Sequence, residues 1–323
     1  MQRKLLFRIA MTAMNRFSRR TLARLQRIAR PFIAGSMAIA LTVAIAPSVV
    51  GDPFRSENPK AIGDQTEAAF RAMFEYGNYT EASDLLETAE ADEPMAYAMR
   101  ASIAYLEEDW DTLGDNATLT REVAETLVET DPLRGHLYVG VGHFLEGAHT
   151  LLTQGTLRGA PQALLKLQRT LSNLDQAEAI DPTDPELNLV KGFMDLMVAL
   201  YLPLAEPEDA IARLDSYAAP TYISQRGIAI ACRDIDDHDC AVDAIEAAID
   251  AAPDNPDLQY LKAQVWVNLG DDEGSLEYFD IALENEEHFP LGLRNQIAYE
   301  RCRANVRATG ENENCGRLLD RDE

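Results

Sequence analysis

The chain of 323 residues is 46% hydrophobic and 26% charged, proportions that can bury a core and that exclude a disordered chain. Its 54 acidic residues against 29 basic ones give a formal net charge of −25. Such a surface repels nucleic acid and anionic headgroups, and it favours solubility or a cationic partner.

Residues 1–51 differ from everything after them. They hold nine basic residues, Arg3, Lys4, Arg8, Arg16, Arg19, Arg20, Arg24, Arg27 and Arg30, no acidic residue, and then the apolar run "PFIAGSMAIALTVAIAPSVVG". A basic leader followed by an apolar segment and small residues predicts an export signal with cleavage before Asp52. The run is about 20 residues long, so an uncleaved membrane anchor is the alternative. "SRRTLA" at Ser18 to Ala23 resembles a twin-arginine signal, and the general secretory route is the other reading. The leader takes nine of the 29 basic residues, so the remainder carries 20 against 54, a net of −34. Lysine is scarce there (Lys60, Lys166, Lys191, Lys262), a balance that also fits adaptation to a saline medium. The expected organisation is a leader over 1–51, a helical body over 60–309 and a tail over 310–323.

Along the body one pattern recurs: a small residue, a bulky one four later, a small one three further and a proline five beyond. In chain order it reads Ala82, Leu86, Ala89, Pro94; Ala124, Leu127, Pro132 without the leading alanine; Thr170, Leu174, Ala177, Pro182; and Ala210, Leu214, Tyr217, with Pro220 two residues early. Ala241, Ile245, Ala248, Pro253 follows, and then Ser275, Phe279, Ala282, with Glu287 in the proline's place. Offsets of four and seven put three residues on one helix face, and the proline stops the helix after it. Gly270 separates helices over Leu258 to Leu269 and Glu273 to Glu284. About thirteen helices and no strand are expected, the last being a polar capping helix from Leu291 to Ala308 with Arg294, Arg301, Arg303 and Arg307. Between Leu133 and Gln162, six glycines break the repeat.

"CRDIDDHDC", Cys232 to Cys240, flanks a turn between a helix over Tyr222 to Ala231 and the one that begins with Ala241. Helix ends at such a turn come within disulfide reach, and an exported chain meets oxidising conditions. Of the three connectivities open to four cysteines, the local one pairs Cys232 with Cys240 and Cys302 with Cys315. Asp237 or Asp239 then serves as a helix-start residue. A calcium loop is not expected, because alternate ligand positions would run through His238 and Cys240 with no glycine at the bend.

"GNY" at Gly77 to Tyr79, "GDD" at Gly270 to Asp272, Trp266 and Phe279, small residues at helix contacts and the prolines resemble the tetratricopeptide repeat. The best match is Asp254 to Asn285. The chain as a whole resembles secreted tetratricopeptide proteins of cyanobacteria, whose function is not established, and more remotely the T component associated with TRAP transporters. The resemblance implies an all-α solenoid of helical hairpins that share a continuous core. It also implies a concave groove lined by first helices, which here places Arg226, Ile230, Arg233, Tyr260, Gln264 and Asn268 against a protein or peptide partner. Arg226 and Arg233 are suited to a carboxylate, or else neutralise neighbouring aspartates. Tyr260 and Gln264 stand where co-chaperone members carry a carboxylate clamp, so a peptide C-terminus is not the expected ligand. The alternative is a small-ligand accessory with an apolar cavity lined from "VKGFMDLMVALYLPL", Val190 to Leu204.

No nucleophile elbow, zinc-protease pair or phosphate loop is present, and acidic pairs abound throughout. His136 and His143 lie two turns apart, about 10.5 Å along a helix, too far for one metal. No catalytic residue, metal or cofactor is therefore expected, and binding rather than catalysis is the expected role.

Overall fold

The computed structural model describes residues 52–201, 207–311 and 313–320. The expected leader, and residues 202–204 of the Val190 to Leu204 segment, lie outside the described residues. Among the described residues there are thirteen α-helices and no strand. They are α1 (Asp64–Phe74), α2 (Tyr79–Glu87), α3 (Pro94–Leu106), α4 (Trp110–Leu127), α5 (Pro132–Gln154), α6 (Thr156–Ile180) and α7 (Pro185–Tyr201). Then come α8 (Pro207–Tyr217), α9 (Thr221–Asp234), α10 (His238–Ala251), α11 (Pro256–Leu269), α12 (Asp272–Leu283) and α13 (Leu291–Thr309). Short 3-10 turns at Glu286–His288 and Cys315–Asp320 flank α13.

Many helix starts are specified locally. Asn78, Asp109, Asp131, Asp237 and Asp271 cap α2, α4, α5, α10 and α12 by accepting a hydrogen bond from a backbone N–H three residues on. Such caps contribute about 1 kcal/mol each. Gly77 and Gly270, at φ +62° and +85°, supply the left-handed residue just before the caps at Asn78 and Asp271. Two of the prolines read as helix stops play a different part. Pro94 and Pro132 are first residues of α3 and α5, where the missing N–H is one that a helix leaves unpaired anyway.

Consecutive helices pack on one another, and contacts between α3 and α5, α7 and α9, and α9 and α11 place alternate helices side by side. The four-and-seven pattern is the packed face of the even-numbered helices. Thr170, Leu174 and Ala177, Ala241, Ile245 and Ala248, and Ser275, Phe279 and Ala282 are all 1% exposed or less. On α4 the missing leading position is Thr120, fully buried ahead of Ala124. Tyr217, by contrast, is half exposed.

The glycine-rich stretch forms the two longest helices, α5 and α6, hinged at Gly155 with φ +76°. Two of its glycines mark close helix approach. A β-carbon at Gly135 would lie 2.5 Å from the Val128 backbone, and one at Gly142 would lie 2.7 Å from the Arg121 nitrogen. What reads as an interruption is a tight α4–α5 contact made possible by missing side chains.

Both ends of the body are tied in. Phe54 and Ile62, ahead of α1, are buried, and Phe54 stacks edge-on against Phe70 at 4.9 Å. The α1–α2 pair touches the far end of the chain: Asn255 donates to the Phe74 carbonyl at 3.0 Å, and Thr80 donates to the Glu287 carbonyl at 2.8 Å. Disulfides join Cys232 to Cys240 and Cys302 to Cys315, each with α-carbons 5.7 Å apart, and among the described residues no cysteine is free. Arg301 and Arg307 of α13 pair with Asp280 and Asp272 of α12. No helix among the described residues is long and apolar enough to cross a membrane.

Candidate functional site

Arg226, Ile230 and Arg233 lie on α9; Tyr260, Gln264 and Asn268 lie on the neighbouring α11. The structure splits this set into two parts. Arg226 is turned to the α1–α2 side, where it pairs with Asp257 at 3.0 Å, and the Tyr79 hydroxyl reaches the same carboxylate at 3.4 Å. Ile230 is half-buried against the core. Arg233 donates to Gln264 at 2.6 Å and pairs with Asp234 at 2.8 Å. Gln264 in turn donates to Glu300 at 2.9 Å, and the Tyr260 hydroxyl donates to the same carboxylate at 2.9 Å. Gln296 closes the row with a 2.6 Å bond to Glu300, while exposed Asn268 donates to Asp236 at 3.3 Å.

The result is a hydrogen-bonded ladder across α9, α11 and α13, running Arg233, Gln264, Glu300. Burial and the Glu300 carboxylate raise the Tyr260 hydroxyl well above the usual tyrosine range, so it stays a donor at all physiological pH values. Glu300 and Gln296 escape sequence reading, because α13 reads as a cap by its arginines. The available signal is their i,i+4 spacing.

A second polar feature was not legible as a site. Arg134 of α5 is 2% exposed and bridges Glu93, which caps α3, to Glu186 in the first turn of α7. Glu186 also accepts from Tyr138 at 2.7 Å and Arg55 at 2.9 Å, and Arg55 pairs with Asp184 and Asp52. Burial alone would raise the Glu186 carboxyl, but Arg134 and Arg55 hold it below the usual glutamate range. Burial outweighs Arg134 at Glu93 and lifts its carboxyl. The cluster knits the 52–62 segment, α3, α5 and α7 together, and every group in it is spent on another. Its sequence trace is a charged residue within two positions of three helix-starting prolines: Glu93 by Pro94, Arg134 by Pro132 and Glu186 by Pro185.

Two of the histidines have polar neighbours. His136 faces Asn173 at 3.4 Å, and His143 faces Glu146 at 3.1 Å. Glu146 also pairs with Arg121 at 2.9 Å and with Lys166. A hollow of about 540 Å³ beside it is lined by Asp111, Asp115, Thr118, His149 and Lys166 among others. Another of about 560 Å³ is lined by Glu208, Ile235, Asp236, Asp237, His238 and Asp239, so the "CRDIDDHDC" turn borders open solvent. Asp237 caps α10, and Asp239 lies in its first turn. Among the described residues no group of three acidic, histidine or cysteine side chains is arranged to hold a metal ion. No protein-family model matches this sequence, and no curated protein matches it.

Proposed function

We propose that the protein is an exported helical-repeat scaffold, of tetratricopeptide-like solenoid architecture, that holds a protein or peptide partner against the α9–α11–α13 face. The supporting observation is the ladder of Arg233, Gln264 and Glu300, with exposed Asn268 beside it. Side chains already held by neighbours lose little conformational entropy when a partner arrives, so donors and acceptors preset along three adjacent helices suit an extended polar ligand. The role is binding rather than catalysis. Arg226 supports the Asp257–Tyr79 junction and takes no part in recognition. The two disulfides point to an oxidising, extracytoplasmic environment.

The small-ligand reading has less support. Leu196 is buried and Val190, Phe193 and Met194 pack against the core, while both hollows are lined by charged and polar groups. A photo-crosslinking residue placed at Asn268 tests the scaffold reading, with Glu277 on α12 as the control. Partner adducts at Asn268 that are absent at Glu277 are expected. Equal labelling at both positions, or none at Asn268, refutes the assignment of this face.

A further inference from the structure

The buried cluster around Glu186 holds more acid than base. Its carboxyl groups are Asp52, Glu93, Asp184 and Glu186, its cations are Arg55 and Arg134, and none of the six side chains is more than 7% exposed. Every carboxyl oxygen accepts at least one hydrogen bond. Asp52 takes the Phe54 and Arg55 amides on Oδ1, and the Lys60 amide and the Arg55 guanidinium on Oδ2. Asp184 takes Arg55 on both oxygens and the Leu187 amide on Oδ1. Glu186 takes Tyr138 and Arg134 on Oε1, and Arg55 and Arg134 on Oε2. Glu93 takes Arg134 on both oxygens and the Met95 amide on Oε1. A protonated carboxyl would have to donate to an acceptor of its own, so this bonding is that of four carboxylates. Against two guanidiniums they leave a net charge of −2 out of water, and buried charge without a counter-ion is costly. Burial lifts the Glu93 and Asp184 carboxyls above their usual ranges, in keeping with a shortage of positive charge. Lys60 does not supply it, because its ammonium pairs with Asp131 at 2.8 Å.

We propose that the missing cation is the chain's own α-ammonium, formed when an export peptidase cleaves the bond between Gly51 and Asp52, so that removal of the leader completes the cluster. Hydrolysis consumes one water and leaves a carboxylate on Gly51 and an ammonium on Asp52. Covalent geometry keeps that ammonium within about 5 Å of the Asp52 carboxylate. The Asp52 side chain is 0% exposed and bonded to Arg55, which leads on to Asp184 and Glu186. The amide nitrogen of an uncleaved chain brings no charge to the same place. The sequence suits a cut there, since the basic, acid-free leader ends in an apolar run that closes on Val49, Val50 and Gly51. Cleavage at this bond rests on the reading of the chain as exported and is independent of the α9–α11–α13 face.

The test uses the full chain, exported from its own leader in a bacterial host and recovered from the exported fraction. Its intact mass is expected to match a chain that begins at Asp52. Trace acetic anhydride then labels the α-amine across pH, in the folded protein and in urea, with peptide mass spectrometry reading the extent. In urea the midpoint should fall in the ordinary α-amino range of about 7.7–8.0. In the folded protein it is expected about one unit higher or more, because the carboxylates favour the charged form, whereas burial without them would lower it. Asp184→Asn is expected to bring the folded midpoint back toward the urea value; should that variant fail to fold, the parent's midpoint decides. A folded midpoint at or below the urea value overturns the proposal, as does an exported chain cut at another bond or still carrying its leader, and each of these leaves export standing. An uncut chain retained in the cytoplasm overturns both.

Discussion

Replacing Arg134 by methionine removes the centre of the buried ionic cluster while keeping a long apolar stem. Arg134 donates to Glu93 from Nη2 and Nη1, at 2.8 and 2.9 Å, and to Glu186 from Nε and Nη2, at 3.0 and 3.3 Å. Without it, Glu186 keeps Arg55 at 2.9 Å and Tyr138 at 2.7 Å, but Glu93, 5% exposed, keeps only the Met95 amide. A buried carboxylate stripped of its cation costs about 3–5 kcal/mol, out of the roughly 5–15 kcal/mol that holds a domain folded. Glu93 already sits above the usual glutamate range through burial, and losing the guanidinium lifts it further. A carboxyl raised in the folded state retains its stability below the unfolded value and loses it as pH rises through the folded one. The deficit should thus be largest near neutral pH and shrink toward the ordinary glutamate range. Urea unfolding followed by far-UV circular dichroism, on parent and Arg134→Met at both pH values, reads this directly. Adding Glu93→Gln should recover part of the loss, because the stranded charge is gone. A loss under about 1 kcal/mol at neutral pH, or the same loss at both pH values, refutes the account.

Gly142→Ala puts a methyl group 2.6 Å from the Arg121 β-carbon and 2.7 Å from its backbone nitrogen, so α4 and α5 must separate. The expected cost is about 1–3 kcal/mol, read as a lower midpoint in thermal unfolding. Cys302→Ser with Cys315→Ser should free the tail without unfolding the body, with a loss of about 3 kcal/mol or less; limited proteolysis confined to residues beyond α13 checks it. Burial works to raise Glu146, but Lys166, Arg121 and His143 hold its carboxyl below the usual range. A depressed carboxyl stabilises above its unfolded value and stops doing so as pH falls through the folded one. Glu146→Gln should therefore be less stable than the parent at neutral pH, with the gap closing on acidification below the ordinary glutamate range, measured by urea midpoints across pH.

Much of the local structure was legible because it depends on neighbours in sequence. The four-and-seven triads mark buried helix faces, Gly270 and Asp271 mark a turn, and Cys232 with Cys240 straddles another. The candidate site was legible only in part. Arg233, Gln264, Tyr260 and Asn268 come together, but Arg226 faces a different junction and Glu300 arrives from a helix read only as a cap. The part that the α5 glycines play in packing was not legible, because a missing side chain is ambiguous until the opposing helix is known.

The sequence by itself determined the helical character of the described residues and most helix starts, and it pointed to the local pairing of the cysteines, since capping, proline placement and short-loop closure act within a few residues. Tertiary structure alone decided which charges are buried and which faces remain open. Arg134 meets Glu93 and Glu186 at separations of 41 and 52 residues, and Asn255 meets Phe74 at 181. Such contacts arise from how distant helices lie against one another, and no local pattern encodes the partner.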